Sequence, residues 1–216
     1  MPTDYRKYRR WFTLFVFVLI GGYLIGMAAY GEPFFFWQYP YSGLGATETI
    51  NGYSNRISMT VFIADMISVG IIYFCIGIIF IRDRQIPFRV YRILFSFTAS
   101  FGAIVAALPH NLFDIQHKFG SGFLAGSVWI LSILFITDAA AVSTRRRTVM
   151  LHAILHIPIF GYALGFAFGS DLAHLFQKFT VTGIAIVLLL SLARLCRGIP
   201  EVPAAAQLDS SKFVRR

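Results

Sequence analysis

The sequence predicts an all-α fold, a polytopic membrane bundle of six transmembrane helices with both termini in the cytoplasm. Three observations lead there. Of the 216 residues 57% are hydrophobic and only 13% charged, with a mean hydropathy of +0.68. A soluble domain carries about 25% charged residues, so this chain has about half the polar surface that water would demand. Six apolar stretches approach the roughly 20 residues needed to cross a bilayer core, and the basic residues gather at alternate ends of those stretches. Composition therefore excludes a disordered chain, a secreted disulfide scaffold and a soluble enzyme.

The spans read in order as Trp11–Tyr30, Ile57–Ile81, Ile93–Pro109, Phe119–Val142, Val149–Phe168 and Leu175–Cys196. The first follows Arg6, Lys7, Arg9 and Arg10 like a signal peptide. Its apolar run is longer than a typical signal core of about 7–15 residues and the cleavage signal is poor, which makes it a true span. The third is the shortest, and its outer boundary is soft. Sixteen of the 19 Lys and Arg lie at the ends that share a side with the termini. The other side keeps only Arg56, Lys118 and Lys178. The positive-inside rule places the dense side in the cytoplasm of a cell (inner) membrane. That distribution also accounts for the net charge of +9 without nucleic acid. Cys75 and Cys196 fall in or near inner halves of spans and imply no disulfide framework.

Residues 1–198 form one six-span domain, and 199–216, with Pro200, Pro203 and an alanine run, read as a flexible cytoplasmic tail. The outer loop from Gly31 to Asn55 opens with Phe34, Phe35, Phe36, Trp37, Tyr39 and Tyr41. Aromatics at that depth usually belong to an interfacial belt, and the functional alternative for Phe34–Tyr41 is a lid or a contact for a partner protein. Glycines at four-residue spacing, Gly22–Gly26, Gly122–Gly126 and Gly161–Gly165–Gly169, are expected to let helices approach closely, since lipid supplies no hydrophobic force between them.

Ionisable groups within a membrane cost about 2.5–3.5 kcal/mol each at a helix centre, so each is a functional candidate. On the outer side, His110, Asp114 and His117 share one face if their segment is helical. Two imidazoles and a carboxylate suit a zinc-like ion or a proton relay, and His174 and Asp171, on the same side of the membrane, could close such a site, with Glu48 an addition. A polar rim that bonds to headgroups explains the same residues. His152 and His156 share a face of the fifth span, with Asp138 placed to orient one ring. Haem is disfavoured, because the outer histidines are too distant to supply a second axial ligand. Asp65 and His156 approach the midplane from opposite sides and could pair. No nucleophile elbow, phosphate loop or His-Glu-x-x-His is present. The late His-x-x-x-His of ceramidase-like hydrolases has its counterpart here on the wrong side.

Three elements resemble the Frag/DRAM/Sfk superfamily of six-span membrane proteins and related bacterial and archaeal families. Tyr39-Pro40-Tyr41-Ser42-Gly43-Leu44-Gly45 is similar to that group's Pro-x-Ile-Ser-x-x-Gly segment, and Asn51 or Asn55 follows it. Leu108-Pro109-His110-Asn111 ends the third span. His117-Lys118-Phe119-Gly120-Ser121-Gly122 is similar to a His-x-x-Gly-Ala motif, with Tyr41 replacing Ile and Ser121-Gly122 replacing Gly-Ala. The resemblance implies a regulatory or accessory role in lipid handling. It also implies a shared outer site of Ser42, Gly45, Asn51, His110 and His117. The functional expectation is thus a non-enzymatic protein that binds a membrane-lipid headgroup or a partner, with no cofactor. The alternatives are a zinc-dependent intramembrane hydrolase and a small subunit of a larger complex.

Overall fold

In the computed structural model, which describes residues 3–197, six helices are each long and apolar enough to span a membrane. They are α1 (Tyr5–Ala28), α2 (Arg56–Arg82), α3 (Arg89–Ala106), α4 (Asp114–Ala140), α5 (Arg145–Ala167) and α6 (Leu172–Arg197). A single 3-10 turn, Tyr41–Gly45, interrupts the loop between α1 and α2. Among the described residues the only β pairing is an isolated bridge between Glu48 and Ser54. The chain is therefore an integral membrane helical bundle. The tail read at 199–216 lies outside the described residues.

Two helix starts have a visible local cause. Asp4 accepts the Arg6 amide at 3.0 Å and caps α1. Pro87 precedes the turn into α3, where Phe88 takes the left-handed conformation at φ 53°. The α3 helix begins a full turn before the predicted span, because Arg92 is buried within it.

Packing follows a ring. α1 lies on α2, α2 on α3, α3 on α4, α4 on α6, and α6 closes back on α1. α5 stands outside the ring against α6 and α4, and only 17% of its apolar window is buried. Aromatic rings fill the ring's centre towards the termini: Phe12 meets Phe135 edge-on at 5.2 Å and Tyr8 stacks on Phe80 at 4.8 Å.

The glycine reading needs correcting in two places, the first being Gly169, which ends the α5 series and meets nothing within 4 Å. Gly122 and Gly126 face open space, with nothing within 4 Å of a Cβ built there. The close crossing of α3 and α4 instead uses Gly102 and Gly120, where added Cβ atoms would strike the facing backbone under 3.0 Å away. Two positions along a helix turn a residue about 200°, so Gly120 and Gly122 serve opposite faces. Gly26 and Gly165 do sit in tight contacts, against Leu44 and Ala173.

Six crossings put the start of α1 and the end of α6 on one side, here termed the terminal side. The opposite, distal side carries the long loop.

Candidate functional site

The distal loop re-enters the bundle. Its 3-10 turn packs against α2, α1 and α6, and Gly43, Leu44, Gly45 and Ala46 are buried. Buried backbone needs partners, and the sequence supplies them. Asn55, 1% exposed at the start of α2, donates its amide to the carbonyls of Leu44 and Ala46 at 3.1 and 3.0 Å, and to Gly43 at 3.5 Å. Ser58 adds a bond to the Leu44 carbonyl at 3.1 Å. Gly45 is needed because the Phe62 ring fills the space that its Cβ would take. Thr47 and Asn111 bond to each other twice, which fastens the turn after α3 to the same loop.

Two charged side chains meet this loop from below. Asp65, in α2 and 5% exposed, accepts the Tyr41 hydroxyl at 2.8 Å through Oδ2. Its Oδ1 is buried with no partner among the described residues and lies against Gly22 of α1. Tyr23 joins this corner, its ring 5.0 Å from that of Tyr41 and its hydroxyl likewise unpartnered. Burial beside Asp65 pushes the Tyr41 hydroxyl well above its usual pKa. Lys178, in α6 and also 5% exposed, donates to the carbonyls of Tyr39 at 2.7 Å and His174 at 3.0 Å. Its ammonium stands 5.0 Å from the Phe36 ring. Neighbouring Gln177 accepts the Tyr41 amide at 2.9 Å. Neither Asp65 nor Lys178 has an ionic partner among the described residues.

The structure sorts the predicted site residues. His110 and His117 come together, their ring centroids 5.8 Å apart. His117 is bound through Nδ1 to the Leu108 carbonyl at 2.9 Å. His110 lies beside the Ser42 carbonyl, and burial, reinforced by His117, holds its imidazole below the usual value. Asp114 does not join them. It turns outward and pairs with Lys118 at 2.7 Å, both side chains being 55% exposed. His174 is half-buried and contributes its carbonyl, while Asp171 and Glu48 are exposed. Asn51 is exposed and bonds to Glu32, so Asn55 is the asparagine that organises the loop. No group of three or more His, Cys, Asp or Glu side chains among the described residues is placed to hold a metal ion.

Two expected pairings are replaced. Asp138 does not orient His152 or His156. It binds Arg92 at 2.7 Å and the Tyr5 hydroxyl at 3.0 Å, on the terminal side of the ring. His156 accepts the Trp129 indole N–H on Nδ1 at 3.0 Å. Its Nε2 therefore carries the proton and donates to His152 Nδ1 at 3.1 Å. The Asp65–His156 pair cannot form, because α5 touches only α6 and α4 while Asp65 belongs to α2.

Sequence reasoning missed Lys178 and Arg92, which it counted as topological charges. The signal for Lys178 was its place six residues inside α6, roughly 9 Å along the helix.

The fold and this site define an integral membrane protein with a cluster of buried polar side chains beneath a re-entrant loop. No protein-family model, no curated protein and no solved structure matches the chain.

Proposed function

We propose that the protein is a non-enzymatic membrane protein whose distal half binds the headgroup of an amine-bearing phospholipid, in a regulatory or accessory role. One observation carries this reading. Two buried side chains of opposite charge, each without an ionic partner among the described residues, grip one loop at positions two residues apart: Lys178 at Tyr39 and Asp65 at Tyr41. An isolated charge in a membrane interior is costly unless something completes it. A headgroup that carries both an ammonium and a phosphate is complementary to both, the ammonium to Asp65 and the phosphate to Lys178. Tyr23, Tyr41 and Phe36 offer ring faces that favour the cation. The free oxygen of Asp65 lies against α1, so the ligand reaches it as the loop lifts and the Tyr41 hydroxyl yields. The loop's resemblance to the Frag/DRAM/Sfk segment supports the same location.

The test is the lipid that stays with the protein through mild detergent extraction. Wild type is expected to retain amine-bearing phospholipid above its share of the source membrane. Asp65→Asn and Lys178→Met should each lose that enrichment several-fold while folding normally. Equal lipid content in all three would remove the reading.

The aromatic segment supports a second reading. Phe35 and Trp37 are 53% and 67% exposed at the loop's tip, where they suit contact with a partner membrane protein. Co-purification that is lost on Trp37→Ser, with lipid content unchanged, would favour it.

A further inference from the structure

On the terminal side, the two ends of the chain meet around a second feature. Arg6, Arg9 and Arg10 from the start of α1 line a cavity of about 280 Å³ together with Cys196 and Arg197 from the end of α6. The two helices pack against each other there. Among the described residues none of these four arginines forms an ion pair. The nearby carboxylate of Asp4 is engaged as the helix cap, accepting the Arg6 amide.

We propose that this cavity is a binding site for the phosphate of an anionic phospholipid. An arginine that serves topology only has to remain outside the hydrocarbon; Arg146 and Arg147, in the first turn of α5, are exposed, as are these four, so it is convergence and not exposure that sets the four apart. These four converge on one concave site, where planar guanidinium forks match phosphate oxygens. The source of the phosphate follows from what lies beneath. On α1, Leu14 and Phe17 continue the face of Arg10 at helical spacing and are 46% and 73% exposed. On α6, Leu190 and Ile186 continue the face of Arg197 and are 48% and 40% exposed. Two apolar stripes that run from the arginines into the membrane provide for acyl chains, which a free phosphate does not need. Basic pockets between transmembrane helices are a recurrent way to hold such headgroups.

The site is separate from the distal polar cluster, so either can fail alone. The full-length protein in neutral detergent would be titrated with phosphatidylglycerol, phosphatidylcholine and inorganic phosphate. Two readouts would be followed: lipid retained by native mass spectrometry, and the rate at which a maleimide labels Cys196, with Cys75 as internal control. Phosphatidylglycerol is expected to bind and to slow Cys196 labelling several-fold in wild type, while phosphatidylcholine and phosphate leave it unchanged. Arg9→Gln/Arg10→Gln should lose retention roughly tenfold, and Arg9→Lys/Arg10→Lys should lose less. Arg146→Gln/Arg147→Gln, an equal change of charge outside the cavity, should lose nothing. Equal losses in the two glutamine variants would assign the effect to surface charge and overturn the site. Protection by inorganic phosphate alone would overturn the lipid assignment. Unchanged Cys196 labelling at saturating phosphatidylglycerol would overturn it without any variant.

Discussion

On the terminal side Arg92 and Asp138, with side chains 0% and 3% exposed, lie 2.7 Å apart. On the distal side Asp65 and Lys178 are nearly as buried, yet each is met only by neutral groups. The terminal pair is well furnished. Arg92 also donates to the carbonyls of Pro87 and Leu134 at 2.9 and 3.0 Å. Its guanidinium carbon sits 4.3 Å from the Phe135 ring, and Tyr5 shares the carboxylate with it. Only Nη1 has no acceptor among the described residues. Nearby, Asp83 takes Lys7 and Tyr8, each at 2.7 Å. The difference teaches that burial alone does not identify a functional charge. A buried charge with its opposite in place fixes helices relative to each other. One that lacks its opposite is open to a ligand.

The comparison breaks most easily at Arg92. Arg92→Met strands the Asp138 carboxylate and is expected to cost about 3–5 kcal/mol in unfolding measurements in detergent. The double variant Arg92→Met/Asp138→Leu should recover most of that loss, because apolar packing replaces both charges. A double variant as unstable as the single one would show that shape, not charge, matters there. The next effect belongs to the distal loop. Asn55→Ala leaves the Ala46 carbonyl without its partner and weakens the hold on Leu44, which Ser58 still bonds. A cost of about 2 kcal/mol is expected, with hydrogen exchange at residues 43–46 accelerated ahead of the helices. Asp65→Asn comes third. Its amide oxygen can still accept from Tyr41, so stability should shift by no more than about 1 kcal/mol.

The smallest effect is a pH dependence at Asp83. Burial alone would raise this carboxyl, but bonds from Lys7 and Tyr8 and from the Gln85 amide hold it below the usual carboxylate range. Such a group adds stability above its unfolded value, about pH 4. That increment is lost as pH falls through the lower, folded value. Melting curves between neutral and strongly acid pH should therefore show a shallower acid decline in Asp83→Asn than in wild type. Identical declines would show that Asp83 contributes nothing to acid sensitivity.

What the sequence disclosed depended on the range of the interaction. Spans follow from local apolar runs, and all six stand where hydropathy placed them, with ends within about two helical turns. The third was truncated at Ile93 because an arginine reads as loop until its partner, 46 residues away, is known. The distal polar region was found through its histidines, and His110 and His117 do meet. Its organising residues were passed over for the same reason of range. Asn55 looked no different from Asn51 until the loop folded back, and Lys178 looked like an outer-loop charge until Tyr39 came to meet it. The glycine spacing named a real device but the wrong α4 face, since periodicity alone does not say which side a neighbour occupies.

The most direct test compares the two aspartates. Asp65→Asn and Asp138→Asn remove the same charge from opposite ends of one bundle, and each would be measured for unfolding stability and for retained amine-bearing lipid. The account expects Asp138→Asn to lose several kcal/mol, on the order of 3, while the protein still folded keeps its lipid. It expects Asp65→Asn to keep its stability and lose the lipid. Equal destabilisation of the two variants with lipid content unchanged would contradict it, and would make Asp65 a second structural charge.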